Sequence, residues 1–229
     1  MNSKPLSDEV FENVLALIFS GELLSGAPVN EVGLAQRFGV SRGPVREAVR
    51  RLQGLGLVSR EAYTRARVVN LTAQDVLELF QMREVLEGLA CRLAAERMSE
   101  EEIAQLSAGL EQARHALFED GPGAPDSKTF DFHDRIVRAS GNQRIIDALC
   151  GDLYHLLRLY RRSSGAVVER KDAAYAEHWQ IIRALKTRDG DLAESLMRSH
   201  IARAARNVVV RLSEHDVRGS KHLTLRRSS

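Results

Sequence analysis

Three histidines in this 229-residue chain repeat one pattern. His133 falls on the stripe Phe130, His133, Ile136, Val137. His178 falls on Ala174, His178, Ile181, Ile182, Leu185, and His200 on Leu196, Met197, His200, Ile201, Ala204. Spacings of three and four put each imidazole on the apolar face of a helix, so each is expected to point inward. One inward histidine is ordinarily a hydrogen-bonded core residue. Three converging from separate helices are also the donor set for one divalent metal such as zinc or nickel, which imidazole nitrogen binds well. Spacing alone leaves both readings open.

Arg83 is the other inward polar residue, on the stripe Val76, Leu79, Arg83, Leu86, Ala90, Leu93. A buried guanidinium requires an anionic partner. That partner is either a carboxylate of the chain, such as Glu87 one turn on, or the carboxylate of a small effector. His115 and His155 lie off the centre of their apolar stripes, and His215 and His222 fall in the C-terminal stretch. None of these four is assigned a role.

A second kind of chemistry is written in "GVSRGPVREAVRR", residues 39–51. Arg42, Arg46 and Arg50 follow at spacings of four, one helix face, and Arg51 sits beside the last. From Arg37 to Arg67 eight arginines oppose only Glu47 and Glu61, a local balance of +6 on a chain of formal net charge +2. Such a patch on a near-neutral chain marks a polyanion-binding module attached to something else. A merely solvated face mixes both signs, as residues 72–120 do.

The elements that must carry these residues can be read from period and punctuation. Residues 8–20 have helical spacing closed by Gly21. In residues 30–39, Asn30 is placed to cap a helix and Gly39 to stop it. Ser41 can cap the next helix, with Pro44 in its first turn and Val45, Val49 and Leu52 on its buried face. Residues 56–71 are short, β-branched and broken by polar residues, which predicts a two-stranded hairpin. Helix, helix, three-residue turn, helix and hairpin make a winged helix-turn-helix. From Thr72 onward the pattern is helical, with helices expected near 72–98, 99–118, 128–140, 142–162, 170–187 and 189–212. Breaks are expected at 121–127 and 140–142. The fold expected is thus mainly α: residues 1–71 a winged helix-turn-helix domain, residues 72–212 an all-α helical bundle, and residues 213–229 a flexible tail too poor in apolar residues to pack.

Composition excludes other classes. The chain is 44% hydrophobic and 28% charged, the balance of an ordinary globular protein. No run approaches the roughly 18 apolar residues of a membrane span, and "MNSKPLSDEV" has no signal-peptide core. Cys91 and Cys150 are too few for a disulfide framework. They are expected to be reduced core thiols in a cytoplasmic protein.

The segment "LAQRFGVSRGPVREAVRRLQGLGLV" resembles the DNA-binding domain of the GntR family of bacterial transcription regulators. "LFQMREVLEGLACRLAAER", "FHDRIVRASGN" and "EHWQIIRALKTRDGDLAESLMRSHI" are similar to the helical effector domain (FCD) of that family's fatty-acid-regulator branch. The resemblance implies a homodimeric regulator, with repression its expected mode, that binds an inverted-repeat operator in double-stranded DNA and responds to a small carboxylate metabolite. By the same resemblance Arg42 and Arg46 read base edges or hold phosphates, which suits a guanidinium fork, while Arg50 and Arg51 contact the DNA backbone. Two positions depart from the family pattern. Arg65 stands at the wing tip where glycine is usual, and Gly43 stands where many members have threonine.

Many members of this branch hold a divalent metal with three histidines and a carboxylate four residues before the first of them. That position is Thr129 here, and Asp131 lies about 160° around the helix from His133. A water, an effector oxygen or a contact from Thr129 would complete the shell. A different class, an all-helical metal-dependent hydrolase, would use the three histidines and a bound water. Against it, the stripes place no inward Glu or Asp near the histidines as a general base, and the basic helix-turn-helix stays unexplained. A nucleoid-type structural DNA binder, in turn, would need no inward polar cluster.

Overall fold

The structure, a computed structural model, describes the backbone of residues 5–61, 64–119, 127–164 and 171–225. Its first elements are α1 (Leu6–Ser20), α2 (Glu31–Phe38), α3 (Arg42–Gly54) and the strands β1 (Val58–Ser59) and β2 (Arg67–Val68). Asn30 Oδ1 accepts from the Gly33 amide at 3.1 Å, satisfying one of the donors left open at the start of α2. Gly39 ends α2 at φ 64°, a left-handed conformation that glycine adopts without strain. Three residues later α3 begins. Ser41 occupies the capping position of α3, but its side chain makes no capping hydrogen bond, contrary to the expectation.

The wing is shorter than the 56–71 hairpin foreseen. Val58 pairs with Val68 and Ser59 with Arg67, antiparallel. Residues 26–29 lie along the other edge of β2, where Val29 N–H donates to Ala66 O at 2.7 Å and Val68 N–H to Ala27 O at 3.0 Å. Part of the wing tip, residues 62 and 63, lies outside the described residues.

The remaining helices are α4 (Ala73–Arg97), α5 (Glu100–Glu119), α6 (Ser127–Ala139), α7 (Gln143–Asp147), α8 (Leu153–Ser164), α9 (Lys171–Lys186) and α10 (Gly190–Leu225). Thr72 and Asp75 form a reciprocal capping box at the head of α4: the Asp75 amide donates to Thr72 Oγ1 at 3.1 Å and the Thr72 amide to Asp75 Oδ2 at 2.8 Å. Against α4 lies α10. A Cβ on Gly88 would sit 2.5 Å from Arg198 Cγ, so glycine permits this close approach.

Three differences from the sequence reading stand out. The helix expected over 142–162 is interrupted by a π-helical turn at Ala148–Asp152, a local widening that period alone does not announce. The chain divides into two compact units, and the first comprises Met1–Leu71 together with Asp152–Ser163, a stretch expected in the helical domain. Leu159 of α8 is 2% exposed within the winged unit's core, alongside Val14, Ile18, Val49, Leu52 and Leu57. Finally, α10 continues to Leu225, so the tail expected from residue 213 is helical over most of its length. Extending an existing helix needs no new nucleus, which lets it outrun its apolar pattern. The break expected at 121–127 lies almost wholly outside the described residues.

Candidate functional site: a recognition helix and a three-histidine cluster

α3 turns Val45, Ala48, Val49 and Leu52 into the winged core and leaves the opposite face to its arginines. Arg42, Gly43, Arg46 and Arg50 are exposed on it. Arg46 Nε lies 3.6 Å from Glu31 and Arg50 4.0 Å from Glu47. Exposed pairs this long hold their arginines weakly. Arg51, one residue round the helix, is tied back to α1, where it pairs with Asp8 and covers the Phe11 ring at 4.1 Å. Arg65 is exposed just before β2. Neither Arg42 nor Arg65 has an ion-pair partner among the described residues. At Gly43 an added Cβ would meet nothing closer than Ser41 Oγ at 3.9 Å, so the fold does not require glycine there.

In the helical unit, α6, α9 and α10 bring His133, His178 and His200 together, with exposures of 5%, 1% and 5%. One ring nitrogen from each lies within 4.8 Å of the others. His178 Nε2 and His200 Nε2 are 3.3 Å apart. Phe132 stacks on His178 with ring centroids 4.1 Å apart and closes one side of the cluster.

Behind two of the rings stand carboxylates. Glu87 Oε2 accepts from His133 Nδ1 at 2.5 Å, and Glu177 Oε2 accepts from His200 Nδ1 at 2.6 Å. Each carboxylate is held by an arginine through its other oxygen: Arg83 Nε donates to Glu87 at 2.6 Å, and Arg203 Nε to Glu177 at 2.7 Å. Burial alone would raise the Glu87 carboxyl, but the Arg83 guanidinium and the hydrogen bonds from His133 and Arg83 hold it well below the usual carboxylate range. Burial lowers His200 to about 4, against an upward pull from the Glu177 hydrogen bond and with a further downward push from His133. His200 is therefore a neutral imidazole near pH 7, the form that ligates metal.

Three buried imidazoles are a donor set that suits a divalent ion. Two nitrogens each about 2.05 Å from a tetrahedral zinc lie about 3.3 Å apart, the separation found between His178 and His200. Thr129 lies on α6 one turn before His133, but its side chain, like that of Asp131, is outside the described residues.

The sequence offered Glu87 as the partner of Arg83, and the two pair at 2.6 Å, but the stripes foresaw neither carboxylate behind a histidine. The face of α4 that is buried runs through Arg83, Glu87, Ala90, Cys91 and Ala94 rather than through Leu86 and Leu93. Its small residues, which let α10 approach, were the available signal. Glu177 sits next to His178, off the stripe, and reaches sideways to α10. No single-helix pattern reveals a pair made across two helices.

A basic helix-turn-helix joined to a helical unit with a buried polar cluster is the make-up of a DNA-binding transcription regulator. Residues 6–68 match the gntR family of bacterial regulatory proteins, and residues 78–203 match the FCD domain. The chain belongs to the GntR family, and its helical domain is an FCD domain. It is 31% identical over 202 residues to a probable D-xylose utilization operon transcriptional repressor of Paenarthrobacter nicotinovorans, covering 86% of each chain. It is 30% identical over 198 residues to an uncharacterized HTH-type transcriptional regulator, YdhC, of Bacillus subtilis, covering 84% of this chain and 86% of that one. Among solved structures, McbR/YncC of Escherichia coli superposes with a TM-score of 0.73 at 20% identity, over 93% of this chain and all (100%) of that one. That likeness concerns the fold.

Proposed function

We propose that this regulator is a homodimeric repressor of an inverted-repeat operator, released or recruited by a small carboxylate metabolite bound at the histidine cluster. The observation that carries the effector reading is the polar set buried in an apolar bundle: His133, His178, His200, Arg83, Glu87 and Ser140 account for all of the buried polar side chains among the described residues. Arg83, buried beside the cluster, donates through its Nε to Glu87 at 2.6 Å. A guanidinium so placed suits the oxygens of a carboxylate. Zinc or nickel on the three histidines would supply a Lewis-acidic centre for the effector's other end. With threonine at 129, the family's usual acidic ligand is missing, so the metal is expected to lean more on an anionic effector.

On the DNA side, Arg42 and Arg46 at the start of α3 read base edges or the first phosphates, and Gly43 between them keeps the backbone bare. Arg50, Arg51 and Arg65 contact phosphates. One recognition helix spans few base pairs, so useful specificity needs two half-sites related by the protein's two-fold axis. Exposed Met82, Val85 and Leu89 form one apolar stripe on α4, which a second copy would cover. That some relatives are named repressors supports repression as the mode.

The test is selection of binding sites from random duplex DNA, followed by release assays with a panel of small carboxylates, with and without zinc. Recovery of an inverted repeat bound by two chains, and a carboxylate that changes its affinity, supports the proposal. Binding without sequence preference, unmoved by any carboxylate, would contradict it.

A further inference from the structure

We infer that Glu177, oriented by Arg203, is the positioning residue that holds His200 as the Nδ1–H tautomer with Nε2 turned to the shared centre, and that Glu87, oriented by Arg83, does the same for His133. The inference rests on the metal reading above and adds to it how the ligands are held ready.

The geometry has two matching halves. On one side Glu177 accepts from Arg203 Nε at 2.7 Å through one oxygen and from His200 Nδ1 at 2.6 Å through the other. On the other, Glu87 accepts from Arg83 Nε at 2.6 Å and from His133 Nδ1 at 2.5 Å. A carboxylate only accepts, so each Nδ1 must carry a proton. In a neutral ring the nitrogen left with a lone pair is then Nε2, and that is the atom available to a metal.

The contact between His178 and His200 makes the choice consequential. Two Nε2 atoms at 3.3 Å can share a proton or share a cation. With Glu177 present, His200 is always the acceptor in that contact. A metal then has to displace one proton, that of His178. Without Glu177, His200 is free to carry its proton on Nε2 and donate to His178, which closes the centre to a cation. Arg203 prevents the carboxylate from turning away, and it does so from the edge of the cluster, since its side chain is 39% exposed. That exposure makes the Glu177 arm testable with less risk to the fold than the fully enclosed Glu87 arm, where removal of the acid leaves Arg83 uncompensated.

The experiment uses the full chain, stripped of metal and labelled with 15N-histidine. Long-range proton–nitrogen spectra report the tautomer of each ring, and zinc is then titrated against a chromophoric chelator. Wild-type His200 is expected as the Nδ1–H tautomer. Glu177→Ala should shift it toward Nε2–H and weaken zinc by roughly 10- to 100-fold. Glu177→Gln keeps an oxygen acceptor and should retain most of the tautomer preference and most of the affinity. Circular dichroism checks that both variants fold, and if the alanine variant does not, the glutamine variant and the wild-type spectrum still decide. Wild-type His200 protonated at Nε2, or a folded Glu177→Ala that binds zinc as wild type does, would overturn the inference. Wild-type protein that shows the Nδ1–H tautomer but takes up no zinc would overturn the metal reading and uphold the ring positioning.

Discussion

His178 on α9 and His200 on α10 face each other Nε2 to Nε2 at 3.3 Å, with Glu177 behind the His200 ring. Two lone pairs do not meet at that distance unless something positive lies between them. Among the buried Ile136, Ile181, Ile182, Met197 and Ile201, this polar contact is maintained at the cost of desolvation.

Arg46→Ala should weaken the selected operator by about 1–3 kcal/mol, the range of a good bidentate base contact, and relax preference at one base pair. Arg51→Ala should weaken all sequences about equally and lower the salt slope by about one. Because Arg51 also pairs with Asp8 and covers Phe11, the second variant should melt earlier than wild type. Fluorescence anisotropy across a salt series and a thermal melt check both. Wild-type affinity and salt dependence in both variants would remove α3 as the recognition helix.

Leu159→Ala should destabilise the winged unit by about 2–5 kcal/mol, as for other large-to-small changes in a closed core. The variant should lose operator affinity near its lowered melting temperature and keep wild-type zinc uptake. Chemical denaturation followed on the two units separates these effects. Unchanged stability would mean that α8 does not pack into the winged core in solution.

The capping box of α4 carries a pH dependence whose sign follows from Asp75. Its carboxyl is lowered from 3.8, first by the Thr72 side-chain hydrogen bond and then by the Thr72 amide. A carboxylate with a depressed folded-state value contributes stability above its unfolded value and loses it as pH falls through the folded one. Asp75→Asn should therefore cost about 1 kcal/mol near neutral pH, the usual worth of a cap. The difference should shrink below the carboxylate range. Paired denaturation curves at the two pH values would show a constant gap if the box contributes nothing.

Val85→Glu in the stripe Met82, Val85, Leu89 should turn a dimer into a monomer at micromolar concentration, with little loss of helix, since Val85 is 52% exposed. Sedimentation velocity reads this directly. A wild-type protein that sediments as a monomer both alone and on DNA would end the dimer proposal.

How much of this was legible depended on whether a feature belonged to one helix or to two. Gly39, Asn30 and the arginines of α3 declare themselves in a short window, because caps and period act locally. The inward histidines did so as well, each on its own apolar stripe. Glu177 did not, because its partners His200 and Arg203 lie on α10. Leu159 looked like a residue of the helical domain and packs with Val14 and Leu52, since an apolar residue in sequence carries no address. The π-helical turn before α8 was likewise silent, being a change of pitch with no residue pattern of its own.

The central claim is that His133, His178 and His200 hold one metal, and the most direct measurement is anomalous scattering at the zinc edge from crystals grown of protein purified without chelator and supplied with zinc. The account predicts one peak within about 2.5 Å of a nitrogen from each ring, and its loss in His178→Ala crystals whose fold is unchanged. No peak at the cluster, with the three rings bonded only to Glu87, Glu177 and one another, would make them structural core histidines and contradict the claim.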